Sequence, residues 1–328
     1  MKYINSKETY LHQKFYTNIK LLAKNQTFTS ATVSISGGQD SLCLIKLLED
    51  LKKIYSNRLI VNYVYIDHQW KTDSYQQIEH LINLIDNRYG KIHIYQMNNI
   101  VNSETEARKL RYQLLINHSI KYKQSIIMTA HTETDKTETF INQIIRGTGI
   151  DGATSLSNKR LLNNNIEIWR PLLNFTRIEV NWFCRKYYLP IWSDISNYSY
   201  NINRNRIRNE LLPYFKQYFH QNAEKKINHF IKFSAIDNEY IKQNSIKLYL
   251  ISRHKKSIAI NYSLIKNQHI SLIIRTLQIF FYYNLNKTLD HDILYKLIDT
   301  LNHVSKDTIQ IKYCNINIKV HRHWIYIY

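Results

Sequence analysis

Ser36-Gly37-Gly38-Gln39-Asp40-Ser41 decides how the rest of the chain is read. Ahead of it runs Ala31-Thr32-Val33-Ser34-Ile35, apolar and β-favouring. Behind it Leu44, Leu47, Leu48, Leu51 and Tyr55 recur at helical spacing. The reading is strand, glycine turn, helix. Such a turn gathers free backbone N–H groups and the positive end of a helix dipole at one point, which suits a phosphate. Adjacent glycines let the backbone approach the anion with no Cβ in the way. Ser36 and Ser41 add hydroxyls. Asp40 is out of place beside phosphates unless a cation lies between them, so it points to Mg²⁺. Glycine usage supports the reading. The chain holds 6 glycines in 328 residues, two of them here and three at 147, 149 and 152. So sparing a chain spends glycine where backbone geometry requires it.

Length and charge set the frame. A chain of 328 residues is long enough for two cores. Lys and Arg number 45 against 25 Asp and Glu, a formal charge of +20, which favours a polyanionic partner, nucleic acid first. The 26 tyrosines offer surfaces on which unpaired bases can stack. Cys43, Cys184 and Cys314 are scattered, so neither a CxxC metal site nor a disulfide framework is expected. No apolar run approaches membrane-spanning length. Met1–Asn5 has neither a signal-peptide core nor a transit pattern. Heavy use of Asn, Ile, Lys and Tyr points to an A/T-rich genome, an organelle's or a reduced bacterium's.

Along the chain, strands and helices alternate. A helix is expected over 8–24. Leu59–Ile66 is a near-continuous apolar run, as in a strand buried on both faces of a parallel sheet. It ends in Asp67-His68-Gln69-Trp70, at the strand end where such sheets form their ligand crevice. Lys91–Met97 reads as a third strand. Ser103-Glu104-Thr105-Glu106 is a capping box for a helix bearing Arg108, Arg111 and Tyr112. Ser125–Ala130 is a fourth strand, running directly into His131-Thr132-Glu133-Thr134-Asp135-Lys136-Thr137-Glu138. His131, Asp135 and Glu138 recur at i, i+4 and i+7, one face of a helix that begins early. This set suits a metal or a substrate ammonium group. Arg146-Gly147-Thr148-Gly149 is a flexible loop carrying an arginine. Ile166–Trp169 is a fifth apolar run, and Thr176-Arg177-Ile178-Glu179 a second capping box. In Arg204-Asn205-Arg206-Ile207-Arg208, helical spacing aligns Arg204 with Arg208 and turns Arg206 elsewhere. From 216 the texture becomes helical, basic and free of glycine, then alternates like β structure over 308–328. The expected division is a catalytic domain over 1–215 and a smaller, mainly helical, basic domain over 216–328.

The glycine loop lacks the Gly-Lys-Ser/Thr ending of a Walker A loop. It resembles the SGGxDS loop of the ATP pyrophosphatases, which cleave ATP between the α and β phosphates. Five stretches in order resemble the tRNA(Ile)-lysidine synthetase family. They are 36–41; Asp67-His68; Glu104 with Ala107-Arg108 and Arg111-Tyr112; Ala130-His131 through Glu138-Thr139; and Arg146–Gly149 with Arg170-Pro171-Leu172 and Arg204–Arg208. Thr134 stands where the family usually has Asp, and Lys136 where it has Gln.

The resemblance implies a parallel-sheet α/β domain that joins the ε-amine of L-lysine to C2 of the wobble cytidine of a CAU-anticodon tRNA(Ile). ATP goes to AMP and pyrophosphate through an adenylated cytidine, and the tRNA changes identity from Met to Ile. On this reading Ser36, Gly37, Gly38, Gln39, Asp40, Ser41 and His131 bind ATP, with Mg²⁺ on Asp40. Asp40, Asp135, Glu138, Arg111 and Arg204 are catalytic, and Arg108, Arg146, Arg206 and Arg208 hold tRNA. The setting implied is the plastid (chloroplast) stroma, organelle-encoded, with a bacterial cytoplasm as the alternative. Three other functions stay open. A tRNA cytidine thiolase would need paired cysteines. A small-molecule amide synthetase would leave the +20 charge unexplained. A non-catalytic RNA-binding relative would release no AMP.

Overall fold

The computed structural model describes residues 8–24, 28–54, 59–67, 74–86, 90–97, 104–163, 165–192, 200, 203–287, 289–303, 309–313, 316–321 and 323–327. Ser103, His68, Gln69, Trp70, Cys314 and the 194–197 stretch lie outside these residues.

A six-stranded sheet organises the first compact unit, Met1–Ile231. β1 (Ser30–Ile35) lies between β2 (Ile60–Asp67) and β4 (Ile126–Met128) and runs parallel to both. β3 (Ile92–Gln96) extends the sheet beyond β2, and β6 (Ile166–Trp169) extends it beyond β4, again in parallel. β5 (Lys159–Asn163) adds an antiparallel edge strand against β6. β5 is absent from the strands expected along the chain. Its residues are partly or fully exposed, so it lacks the apolar run that marks the central strands.

The alternation of β2 explains the layering. Tyr63 and Tyr65 pack on one face, with α1 (Tyr10–Ala23), α2 (Gln39–Ile54), α3 (Ser74–Asp86) and α7 (Arg177–Lys186). Val64 and Ile66 pack on the other, with Ala107 and Leu115 of α4 (Glu104–Lys121). Burial on both faces makes β2 a near-continuous apolar run. The polar Thr32 of β1 is fully buried and fully satisfied. Its hydroxyl donates to the Gln124 carboxamide and accepts from Ser119 Oγ at 2.9 Å.

The strand order places the topological switch at β1 and β4. There, chain segments leaving neighbouring strands diverge to opposite faces and open a crevice at the strand ends. The glycine loop leaves β1 at this point, and the 129–132 segment leaves β4 beside it.

The second unit, Lys232–Tyr328, has its own core. A four-stranded antiparallel sheet joins β7 (Ala259–Asn261), β10 (Trp324–Ile327), β9 (Ile316–His321) and β8 (Ile309–Tyr313). Leu277, Phe280 and Phe281 of α12 (Ile270–Leu285) and Leu294 and Leu297 of α13 (His291–His303) pack in that core. The sequence texture changes at 216, whereas the compact units divide at 231/232, inside α10 (Ala223–Ser252). The first turns of α10 belong to the first unit because Ile227 and Ile231 pack with Phe140, Ile207 and Leu212.

The helix that follows the glycine loop is pinned from behind. His12 Nδ1 accepts from the Thr9 N–H at 3.0 Å, which leaves Nε2–H to donate to Asp50 Oδ2 at 3.1 Å. Lys46 Nζ donates to the same carboxylate at 2.6 and 2.7 Å. Burial alone would raise the Asp50 pKa, but His12 and the lysines outweigh it and bring it down to about 2. A depressed carboxylate contributes stability above its unfolded pKa and loses it as pH falls through the folded one. Asp50→Asn should therefore cost about 1–2 kcal/mol at neutral pH and flatten the acid limb of stability between pH 4 and 2. Chemical denaturation of both proteins across that range checks this.

Candidate active site

The loop is built largely from its own backbone. Gly37 has φ +72°, a left-handed conformation that L side chains rarely adopt. It is buried against Gln77, Leu81 and Trp192. Its carbonyl accepts from the Trp192 N–H at 3.1 Å, and the Ser36 carbonyl accepts from Gln77 Nε2 at 2.6 Å. The Ser41 hydroxyl, itself buried, donates to the Gly38 carbonyl at 2.9 Å and accepts from the Ser36 N–H at 3.3 Å. Ser41 thus shapes the turn, while Ser36 is exposed at its mouth. α2 begins at Gln39, so its first turn aims at the same spot.

Across the switch, α5 (Glu133–Ile145) opens with a capping box. Thr132 is the N-cap, and its N–H and hydroxyl both donate to Asp135 Oδ2, at 2.7 and 3.0 Å. The other oxygen of Asp135 accepts from Arg204 Nη2 at 2.5 Å and Arg208 Nη2 at 3.3 Å. Glu138 lies one turn on, with its side chain wholly buried. It accepts from Arg204 Nε at 2.7 Å and from Arg208 Nε and Nη2 at 2.5 and 3.1 Å. Two carboxylates and two guanidiniums thus close one cluster. Arg206 turns away and pairs with Glu210 at 3.0 Å on the surface, as the spacing required.

Arg204 sits on α8 (Asn203–Arg206), which continues into a π turn over Ile207–Leu211 that carries Arg208. α9 (Leu212–Tyr214) and a second π turn over Phe215–Phe219 follow. Pro213 has no N–H for the helical ladder, and π turns flank it.

Asp40 and Asp135 respond oppositely to this environment. Burial works against charge on both. At Asp135, Arg204, the Thr132 N–H and Arg208 outweigh it and hold the carboxyl below the usual range. At Asp40 burial is reinforced by the negative charge of Asp135. Arg177 and Arg208 offset only part of this, and the pKa rises to about 6. His131 donates to or accepts from Thr129 Oγ1 at 2.8 Å. Burial and the charges of Arg170, Arg204 and Arg111 overcome the pull of Asp135 and bring its pKa down to about 3, so the ring is neutral. Around Tyr112 lie the guanidiniums of Arg108 and Arg111, 5.6 and 5.7 Å from the ring centroid. Burial opposes ionisation of the Tyr112 hydroxyl, but Arg108, Arg170 and Arg111 outweigh it and lower its pKa.

The structure therefore gathers Asp40, His131, Asp135, Glu138, Arg204 and Arg208, with the charge of Arg111 felt at His131. Arg108 is exposed on α4, and Arg146 is exposed at the C-cap of α5. Arg208 joins the acidic pair rather than the surface. Two residues outside the expected site set bear on it. Arg177 is the first residue of α7, behind a capping box, and its charge reaches Asp40. Arg170 is buried, with Nη1 donating to the Ser157 carbonyl at 2.7 Å. An arginine inside an apolar run was the available signal.

Thr134 and Lys136, the two departures from the family pattern, lie at the start of α5. The Thr134 hydroxyl donates to Glu224 Oε1 at 2.6 Å, and Lys216 holds the other oxygen at 2.6 Å. An aspartate at 134 would set a second carboxylate against Glu224.

Among the described residues no three His, Cys, Asp or Glu side chains form a ready metal cage. Mg²⁺ does not need one, because it is often held by one or two carboxylates together with substrate phosphates. The incompletely compensated Asp40 at the loop mouth fits that role.

The model of the PP-loop domain matches residues 11–215. A chloroplastic tRNA(Ile)-lysidine synthase of Gracilaria tenuistipitata is 47% identical over 97% of this chain and 99% of its own length. The chloroplastic enzyme of Pyropia yezoensis is 36% identical over 97% and 96%. The tRNA(Ile)-lysidine synthase of the cyanobacterium Nostoc is 37% identical over 73% of this chain and 70% of its own length. Among solved structures, a U34-tRNA thiolase from Methanococcus maripaludis shares the fold at a TM-score of 0.54 and 14% identity, over 68% of this chain and 78% of that one. A glycine-loop sheet with its charged cluster, and relatives matched along nearly their whole length, place the chain in the tRNA(Ile)-lysidine synthase family of PP-loop ATP-binding enzymes.

Proposed function

We propose that this enzyme joins the lysine ε-amine to C2 of the wobble cytidine in a CAU-anticodon tRNA(Ile), changing the tRNA's identity from Met to Ile. The observation that carries the reading is the meeting of the phosphate loop, through Asp40, with the Asp135–Glu138–Arg204–Arg208 cluster at the β1/β4 switch. Chloroplastic relatives support a plastid setting, in the stroma, and among the described residues no helix is long and apolar enough to cross a membrane.

The loop N–H groups of residues 37–41 and the first turn of α2 hold the ATP phosphates, with Ser36 at the mouth. Asp40 would hold Mg²⁺, which would supply positive charge beside them. Cytosine O2 attacks the α-phosphate and pyrophosphate leaves. Arg204 and Arg111 stabilise the charge that builds on the phosphoryl oxygens. The Asp135–Glu138 pair takes a proton from the lysine ammonium, the freed amine attacks C2, and AMP departs with the former O2. Neutral His131 offers an uncharged ring nitrogen to the nucleotide. Exposed Arg108, Arg146 and Arg206 suit tRNA phosphates, while Arg208 positions Glu138.

The cluster imposes an order on these events. Asp135 already accepts four hydrogen bonds and Glu138 three, close to the capacity of a carboxylate. Lysine's ammonium can be received only when an arginine lets go. Triphosphate is the natural competitor for Arg204, the more exposed of the two at 27% against 20%. Nucleotide then uncovers the acidic pair. Calorimetry should show lysine binding about tenfold or more tighter with a non-hydrolysable ATP analogue than without. Arg204→Ala should bind lysine without nucleotide yet transfer it poorly. Equal lysine affinity with and without the analogue would rule the order out.

Asp40 gives a pH signature. Its folded pKa is raised, so its charge costs stability as pH climbs from the unfolded value through about 6, and a bound cation relieves that cost. The thermal shift produced by Mg²⁺–ATP should grow between pH 5 and 7.5 in the native protein and stay flat in Asp40→Asn. The same variant should release no AMP while tRNA binding persists. AMP release at the native rate would refute the role.

A further inference from the structure

A groove of about 440 Å³ opens in the first unit between α5 and the segment that follows α8. It is lined by Ile145, Leu211 and Tyr214 and by Asn142, Asn203 and the Arg206–Glu210 ion pair, closed at 3.0 Å. None of this belongs to the charged cluster, but it adjoins it. Asn142 is one helical turn beyond Glu138, about 6 Å along α5. Tyr214 stands at the head of a run of exposed rings. Its centroid lies 4.8 Å from Tyr218 and 5.9 Å from Phe219, and the three are 51%, 66% and 71% exposed. Exposed cations stand with them: Arg206, paired with Glu210, Lys216, paired with Glu224, and, directly after Ile145, Arg146.

Apolar side chains, carboxamides and surrounding cations match an unpaired nucleobase on its phosphate backbone. Carboxamides can address the base edge, the tyrosine ring its face and the cations its phosphates. An acidic or apolar protein surface would use the rings but would have less need of the amides. The +20 charge of the chain also favours RNA. We infer that this groove binds the anticodon-loop base next to the reacting cytidine, stacked on Tyr214, with Tyr218 and Phe219, tilted 43° and 59° to that ring, beside it. The inference rests on the substrate being tRNA. It accounts for how the reacting base is held out of its own stack, because a neighbour captured one step away cannot stack back on it.

The test uses the full chain and a CAU anticodon stem–loop RNA, with fluorescence anisotropy at fixed salt. Tyr214→Leu should weaken binding about tenfold or more, and Tyr214→Phe should retain it. An abasic substitution at one position flanking the wobble cytidine should cost the native protein a similar factor and Tyr214→Leu almost nothing further. The slope of log affinity against log salt should be unchanged in Tyr214→Leu, since no cation is lost, and shallower in Arg206→Gln. The ATP-induced thermal shift of Tyr214→Leu reports that its nucleotide site is intact. Native affinity in Tyr214→Leu, or abasic and Tyr214→Leu losses that add in full, would overturn the groove as a base site and leave the rings to a protein partner. If the native protein transfers no lysine but shows the Tyr214–abasic coupling, the reaction assignment fails and the base site stands.

Discussion

The double ion pair of Arg204 and Arg208 with Asp135 and Glu138 is the constraint on which the rest of the site depends. Glu138 is buried beyond the reach of water, and a buried charge is tolerated only when it is paired and hydrogen-bonded. Removing one partner of such a set costs more than the pair contributes, because the other charge is left uncompensated. The cluster therefore fixes the 203–219 segment against α5 rather than simply adding stability. Everything that segment carries, including the outward turn of Arg206 and the ring surface beyond Pro213, takes its orientation from that anchor.

The same cluster leaves a charge imbalance. Asp135 is satisfied on both oxygens and stays ionised, whereas Asp40, across the switch, feels the field of Asp135 with only partial relief from Arg177 and Arg208. Two carboxylates in one crevice have been driven apart, one well paired and one still in need of a cation. Such divergence is common at reactive centres, where geometry rather than residue type sets the charge state. On the proposed function the two aspartates would then take different tasks, metal and phosphate at Asp40, order of assembly at Asp135.

Sequence carried the frame because its signals were local. The glycine loop, the run of β2 and the box at Thr176 each act within a few residues. The alignment of Arg204 with Arg208 followed from helical spacing alone. What pairs with them did not, since Glu138 and Arg204 lie 66 residues apart. β5 was hidden because an exposed edge strand need not be apolar. The extent of the first unit was hidden because the first turns of α10 read like those that follow, and only packing on Phe140 separates them. The internal use of Ser41 was likewise invisible, since a serine in a phosphate loop can turn its hydroxyl either way.

Thr134 shows how a departure from a family pattern can be a local adjustment. In this chain Glu224 accepts from Thr134 and pairs with Lys216, and Asn228 donates to Thr137 Oγ1 at 2.7 Å, so α10 is tied to α5 by neutral hydroxyls and to the Phe215–Phe219 turn by a lysine. Burial and the nearby Glu224 already raise the Glu133 pKa, evidence that this corner has little room for more negative charge. A hydroxyl at 134 keeps the contact and omits the charge. Thr134 also stands four residues before Glu138, one turn away on the same helix, so a carboxylate there would add negative charge beside that buried group. The substitution therefore alters how α5 is braced and keeps further negative charge away from Glu138.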